Sequence, residues 1–358
     1  MTYTFSHFCV DFSCFYFLYS GFGAGVTSTN TAGESSVLQV ISLGFLLYNI
    51  IAFGLQPIIG FFCDSHTRLP IAIIGCVLVF IGLALNISWV SLILCALGNA
   101  CFHIGGGIDG LTFANGNMRR SGVFVSSGAL GVSMGTLSGQ HNTSPIFPIF
   151  LMAFSIILIS CISQKHTYTD KALNFNSVNL KLGLSSILVL LFLSVTVRSY
   201  VGFTVPIEWK TTTLLFLLPS IASCLGKFSG GFLADILGAK RTGVLSLMIS
   251  IPFLCFGYAQ PVLCFIGITL FNITMPITLC AVATKLPYNP GLSFGLTTLA
   301  LLCGNVPVFF FALPTAIVPI VIMISILFSA LCIFASTINQ KRSNHIEKEN
   351  QSINTHAV

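Results

Sequence analysis

The chain has 358 residues, of which 55% are apolar and only 7% charged, with a formal charge of +6. A soluble domain carries about a quarter charged residues, so water-soluble classes are excluded and lipid is the main solvent. On so apolar a chain the positive charge does not point to nucleic acid; it reports orientation, because Lys and Arg stay on the cytoplasmic side. The thirteen cysteines are scattered through apolar runs without a CxxC, so they read as inert buried thiols, with no disulfide framework and no metal site.

A membrane helix needs about 20 mostly apolar residues. Runs of that kind predict twelve spans: 4–22, 36–63, 69–87, 89–115, 121–140, 145–163, 184–206, 212–234, 241–258, 260–284, 291–312 and 315–338. The first lacks a basic leader and contains His7 and Asp11, so it reads as a span and not as a cleavable signal. The divisions at Trp89 and Gln260 are the shortest. The period-two alternation of an outer-membrane barrel is absent. With a cytoplasmic amino terminus, the inside loops and tail carry twelve basic residues and the outside loops only Lys210. That asymmetry places both termini in the cytoplasm of a plasma (cell inner) membrane protein. The polar stretch 164–183 reads as a linker between two six-helix halves, 1–163 and 184–338, and 339–358 as a disordered, solvated tail.

The halves repeat one another. Gly60-Phe-Phe-Cys-Asp64-Ser-His-Thr67-Arg68 returns as Gly231-Phe-Leu-Ala-Asp235-Ile-Leu-Gly238-Ala-Lys240-Arg241, and Gly122 and Gly135 correspond to Gly291 and Gly304. Parallel repeats are a transporter construction. Twelve spans, a central loop and paired hinges of this type resemble the major facilitator superfamily. The resemblance implies an all-α integral membrane fold of twelve transmembrane helices in two pseudo-symmetric halves. The second hinge keeps the superfamily pattern, whereas the first has Ser65 and Thr67 where a basic residue and Gly are usual.

Within that superfamily the chain resembles the fosmidomycin-resistance type of efflux protein. The residues that carry this likeness are Ser6-His7 with Asp11, Gln56-Pro57 before Gly60, Gly98-Asn99-Ala-Cys-Phe102-His103, Gly128 to Gly139, and Leu286-Pro287 with Gly291. The chain departs from that type after His103, where Ile104-Gly105-Gly106-Gly107 precedes the acid Asp109.

An ionised side chain inside a span is costly and calls for an explanation. His7 and Asp11 share a helix face, about four residues apart. At about 1.5 Å per residue, Asp11 and Asp109 each lie ~9 Å inside the cytoplasmic end of their spans. The superfamily fold lines its amino-terminal cavity with spans one and four, so the resemblance implies that Asp11, Asp109 and His7 face one another near the inner mouth, with His103 deeper. Such a group is either a proton-coupling site, since desolvation and like charges favour proton uptake, or a static polar network between two helices. His103 reads equally as a core imidazole. Arg198, well inside span seven, needs an acid, carbonyls or an anion. It either recognises a polar or anionic substrate, with His103 and Asn99 as further binding candidates, or pairs with an acid such as Glu208 or Asp11. Lys227 reads as snorkelling to the cytoplasmic interface.

The hinge residues Gly60, Asp64 and Arg68, with Gly231, Asp235, Gly238, Lys240 and Arg241, suggest a gate. In the superfamily fold these loops sit against the starts of spans eleven and five, where each Asp can latch onto free N–H groups. Gly291 and Gly122 would allow close approach there, Arg68, Lys240 and Arg119 would bridge the halves, and the Asp235 copy would be the stronger latch. Ser127, Gly131, Gly135 and Gly139 form a small-residue stripe, which is either a packing seam or a transport-mode marker. Gly105 to Gly107 suggest that span four bends during the transport cycle, and none of the 33 phenylalanines is assigned to a pocket.

These features together predict a secondary transporter working by alternating access, with proton-coupled efflux of a drug or metabolite as the leading reading. The alternatives are a proton symporter or facilitator importing an organic anion or sugar, and a non-transporting receptor or scaffold on the same fold. The expected partners are a small-molecule substrate, protons and the lipid bilayer, with no nucleic acid, no cofactor and no enzymatic activity, on a monomeric protein.

Overall fold

The computed structural model describes residues 1–23, 26, 34–65, 70–163, 172–180 and 182–337. Arg68 and the 339–358 tail lie outside them. Among the described residues twelve helical segments cross the bundle. Span one joins Thr2–Phe17 to a π-helical turn, Leu18–Phe22. Span two is Glu34–Gly54 followed by Gln56–Ser65, span three Ile71–Leu85 and span four Ser88–Thr112. Span five is Met118–Ser126 followed by Gly128–Gln140, and span six Ile146–Ser163. Spans seven, eight and nine are Leu184–Thr204, Thr213–Leu237 and Ala239–Cys255. Span ten is Pro261–Asn272 followed by Thr274–Lys285. Span eleven is Pro290–Asn305 with the 3-10 turn Val306–Phe309, and span twelve is Val318–Ser336. Seven of the described spans, three of them taken across a break or turn, are long and apolar enough to cross a membrane.

Two of the breaks have a covalent cause. Pro57 and Pro276 lack the N–H that would bond four residues back, and their rings crowd that carbonyl. Spans two and ten accordingly interrupt at Leu55 and Ile273. Span five breaks at Ser127, whose hydroxyl donates to the Thr4 carbonyl of span one at 2.7 Å.

The two halves are spans one to six and seven to twelve. Span one packs on five and span three on four; in the second half, seven packs on eleven and twelve, and nine on twelve. The halves meet where span two lies along eleven and span five along eight. The small-residue stripe of span five is the seam with span one. A Cβ on Gly131, Gly135 or Gly139 would lie 2.4, 2.2 or 2.7 Å from the Phe8, Phe12 or Tyr16 carbonyl oxygen respectively. With the Ser127–Thr4 bond, this matches a four-residue step on one helix to a four-residue step on the other.

The described part of the linker is docked along the end of the bundle that carries the chain's amino terminus, here called the terminus face. Phe175 is 1% exposed, and Val178 and Ser177 are also buried. The Asn176 N–H donates to Gly116 O between spans four and five at 3.0 Å, and Leu173 N–H to Pro287 O between spans ten and eleven at 2.9 Å. The Ser177 carbonyl accepts from Ala239 N–H at 3.1 Å, and Leu180 forms an antiparallel bridge with Thr337. A polar stretch that read as a plain connector is therefore a strap touching both halves. Its backbone groups find partners in the loops beneath it, which is what buried amides require.

Candidate functional site

Spans one and four place four polar side chains together in the amino-terminal half. Asn99 and His103 sit one helical turn apart on span four, as His7 and Asp11 do on span one, so each pair presents one face. His7 Nε2 lies 3.3 Å from Asp11 Oδ2, and His103 Nε2 lies 2.9 Å from His7 Nε2 and 3.7 Å from Asp11 Oδ1. Asn99 donates to Asp11 Oδ1 at 2.9 Å. All four are buried, from 1% exposed at Asn99 to 7% at Asp11. A Cβ on Gly128 would come within 2.4 Å of Asp11 Oδ2 and 2.5 Å of His7 Nε2, so glycine is what lets span five close over the group.

The ring nitrogens on the far sides decide the protonation pattern. His7 Nδ1 lies 2.8 Å from Phe124 O, and His103 Nδ1 lies 2.9 Å from Asn99 O. A carbonyl oxygen only accepts, so both Nδ1 atoms carry hydrogen. Two neutral rings so oriented would point bare lone pairs at each other across 2.9 Å, which is repulsive. The contact is thus one that can hold a proton as an N–H···N bond, with the Asp11 carboxylate beside it to balance the charge. The donor atoms of His7, Asp11 and His103 all fall within 4.8 Å of one another, a spacing a divalent ion could also span. The sequence reading contained no metal-spaced cluster, because these ligands come from two helices and short spacing along the chain does not reveal them. Asn99 Oδ1 is buried without a hydrogen-bond partner.

Asp109 is not part of this group. It lines a separate cavity of about 590 Å³ at the terminus face with Met1, Tyr3, Arg119 and Arg120, and His103 occupies the place expected for it. Arg198 also departs from expectation. Among the described residues it is paired with no acid. Its guanidinium donates to Ser194 O at 3.2 Å, to Thr278 Oγ1 at 2.9 Å and to Thr274 Oγ1, which ties span seven to span ten. It is buried and is not among the residues lining the central cavity.

That central cavity, about 580 Å³, lies between the halves. His7, Asp11, Asn99 and His103 form part of its wall, and it extends past Tyr19, Phe203 and Phe309 towards the face opposite the termini. Lys227 of span eight lines it from the other half, within electrostatic reach of Asp11. The snorkelling reading of Lys227 is thereby corrected. Lys227, Gly231 and Asp235 follow at four-residue steps, so all three face span five. Phe15, Phe45, Phe53, Phe203, Phe294 and Phe309 also line the cavity, although no phenylalanine had been assigned there. An apolar lining has the same composition as a lipid-facing surface.

Towards the terminus face the cavity ends on aromatic rings. Phe294 of span eleven packs on Phe124 of span five with centroids 5.9 Å apart, and Phe124 stacks on His7 at 4.8 Å. Gly105 to Gly107 belong to this packing, and in this state span four is continuous through them. Cβ atoms on them would meet Ala72, Phe124 and Phe294 in turn.

Below the rings sit the hinges. Asp64 accepts from Gly291 and Leu292 N–H, both at 2.8 Å, at the start of span eleven. Asp235 accepts from Met118 and Arg119 N–H at 2.8 and 3.0 Å at the start of span five. Close backbone approach accompanies each: a Cβ on Gly60 would lie 2.2 Å from Gly291 O, and one on Gly231 would lie 2.7 Å from Met118 O. The two carboxylates make equivalent contacts, so the expected superiority of the second hinge does not appear at this level. Gly238 has φ +86°, a conformation that favours glycine, where the chain turns from span eight into nine. Lys240 does not bridge the halves; its ammonium sits 3.6 Å over the Phe334 ring of its own half. Arg241 is exposed, and Arg119 reaches Asp235 through its backbone N–H.

No family model matches the chain, and no curated protein sequence matches it. Solved structures do. The human organic anion transporter MFSD10 (TETRAN) superposes with a TM-score of 0.65 at 15% identity, over 93% of this chain and 98% of that one. A bacterial homologue of the iron transporter ferroportin, in an outward-facing state, gives 0.58 at 15% identity over 93% and 97%. FucP, a major facilitator superfamily transporter in the outward conformation, gives 0.57 at 12% identity over 94% and 99%. With near-complete coverage in both directions, two six-helix halves and paired hinges at their junctions, this chain has the twelve-helix transmembrane fold of the major facilitator transporters.

Proposed function

We propose that the protein is a proton-coupled secondary transporter that moves a small molecule by alternating access. The observation that carries this reading is the His7–His103 pair with Asp11 in the wall of a cavity between two halves. A shared proton there has a defined seat, a balancing carboxylate and a route to water through the cavity. Asp64 and Asp235, latched onto helix starts of the opposite half, act as the gate on the terminus face. The excess of Lys and Arg on that face supports a cytoplasmic placement of the termini in a plasma membrane, so the cavity faces outward in this state. Gly60, Gly231 and Gly238 serve the gate by close approach and turning, and Arg198 serves as a strut between spans seven and ten. A receptor or scaffold that does not transport would have no use for a buried His–Asp group facing a cavity.

The resemblance to fosmidomycin-resistance proteins supports export by proton antiport. The second reading, symport of an organic anion with a proton, is favoured by the ammonium of Lys227 beside the proton site. Proteoliposomes with an interior pH dye, screened over a compound panel, separate the two by the sign of the pH change on substrate addition. Asp11→Asn is expected to abolish transport driven by a pH gradient while leaving substrate counterflow intact, with chelator present throughout. Gradient-driven transport at the wild-type rate in this variant would refute the coupling role.

A further inference from the structure

We infer that His7, Asp11 and His103 form a binding site for a first-row divalent transition-metal ion that reaches them from the central cavity. The inference goes beyond the transport reading and does not depend on it.

Both imidazoles are already set in the form that a metal needs. Their Nδ1 atoms face the Phe124 and Asn99 carbonyl oxygens at 2.8 and 2.9 Å, so each ring turns Nε2 and its lone pair towards the cluster. A hydrogen bond from the far nitrogen to a carbonyl is the usual support of a metal-ligating histidine. Asp11 is held in a similar way, by the Asn99 amide on Oδ1 at 2.9 Å. Three lone-pair donors thus converge from two helices, each oriented by a partner behind it.

The spacing fits an ion. Ligands about 2.0–2.1 Å from zinc stand roughly 3.3–3.4 Å from one another at the tetrahedral angle. Here the His7 and His103 Nε2 atoms are 2.9 Å apart, His7 Nε2 is 3.3 Å from Asp11 Oδ2, and His103 Nε2 is 3.7 Å from Asp11 Oδ1. These separations bracket the tetrahedral edge. Two further features leave room. Span five presents Gly128 to the ligand atoms, where a Cβ would lie 2.4 Å from Asp11 Oδ2 and 2.5 Å from His7 Nε2. Asn99 Oδ1 is buried with no hydrogen-bond partner, which leaves an acceptor for a water on the ion.

Two imidazoles and one carboxylate also select the kind of ion. Calcium and magnesium take oxygen ligands, whereas imidazole suits zinc, iron, nickel and copper. Structural zinc sites are closed by four protein ligands, and three leave an open position. His7, Asp11 and His103 all line the cavity of about 580 Å³, so the ion can enter and leave on that side. The opposing charge in the cavity wall is Lys227, half-buried on span eight of the other half. Its flexible four-carbon stem lets the ammonium swing away from an arriving ion.

The test uses the full-length protein in nanodiscs, stripped of metal by chelator and then titrated with Zn²⁺ or Co²⁺ alone. One Zn²⁺ per chain is expected to bind with a Kd below about 10 μM, and Mg²⁺ at roughly millimolar concentration should not displace it. Bound Co²⁺ should show the visible absorption of a nitrogen and oxygen site, without a thiolate charge-transfer band. His103→Gln should weaken binding at least about 100-fold. His103→Cys should keep the ion and add the thiolate band, which separates loss of a ligand from loss of the fold. A Kd above about 10 μM, displacement by Mg²⁺, a thiolate band in the wild type, unchanged affinity in His103→Gln or no band in His103→Cys would each overturn the inference. Binding is read without a gradient, and the Asp11→Asn transport experiment runs in chelator, so the failure of either leaves the other standing.

Discussion

Replacing Asp235 by Asn tests whether the paired carboxylates are a gate or merely two helix caps. Asp235 accepts two backbone hydrogen bonds from the start of span five, from Met118 and Arg119. Hydrogen bonds to charged groups contribute ~1.5–3 kcal/mol each and neutral ones about 1 kcal/mol. Asn keeps one acceptor and turns an NH2 group towards the second donor, so one charged bond becomes neutral and one is lost. Allowing for the solvent at this half-buried face, the closed state loses about 2 kcal/mol, or roughly 30-fold in the closed-to-open ratio. The assay is amide hydrogen exchange in nanodiscs, read at two places. Met118 and Arg119 are expected to exchange roughly 30-fold faster, because their own bonds are weakened. The decisive site is the untouched latch, Gly291 and Leu292 on Asp64. If the halves part as units, exchange there rises by a similar factor. Acceleration at Met118 and Arg119 with no change at Gly291 and Leu292 would refute the gate and leave Asp235 as a local cap.

Two further substitutions probe the seams. Gly128→Ala places a methyl group against Asp11 and His7, at 2.4 and 2.5 Å before relaxation; the variant should fold, lose pH-gradient-driven transport and keep counterflow, as measured in the same proteoliposomes. Phe175→Ala empties a fully buried site under the strap and should cost about 3 kcal/mol locally. Limited proteolysis should then cut within 172–183 at least about tenfold faster, and an unchanged rate would show that the strap is held by its backbone bonds alone.

The sequence made some of this legible and hid the rest for definable reasons. Span positions were readable because each crossing needs a continuous apolar run, and the divisions at Trp89 and Gln260 are real breaks. The roles of Asp64 and Asp235 as partners of opposite helix starts could be read from the repeat together with the family likeness. Rotation about helix axes was not readable from depth alone. Asp109 and Asp11 lie at similar depth, yet Asp109 is six residues beyond His103, about 120° away around the helix, so only one of the two can face His7. The reading of Lys227 as snorkelling missed a signal that was present, its four-residue steps to Gly231 and Asp235. The cavity phenylalanines gave no such signal, since a ring facing lipid and a ring facing substrate obey the same composition. Arg198 was rightly singled out as needing partners. Those partners proved to be threonines 76 and 80 residues away, which no charge count would suggest.

The seam of span one with span five bears on what can move within the amino-terminal half. Four backbone carbonyls of span one lie against Ser127, Gly131, Gly135 and Gly139, with only the Ser127 hydroxyl, itself bonded to the Thr4 carbonyl, between them. Neither helix can slide along the other without a collision at every turn. Every group of the His–Asp cluster, from Asp11 and the two imidazoles to the Phe124 and Asn99 carbonyls, belongs to that one unit of spans one, four and five. On the transport reading proposed above, this group would be a passenger compartment of fixed dimensions, carried whole as the halves rocked. On the proton-coupled reading proposed above, its hold on a proton would change across the cycle as Lys227, mounted on the other half, moved nearer or farther, and not because the compartment itself was rebuilt.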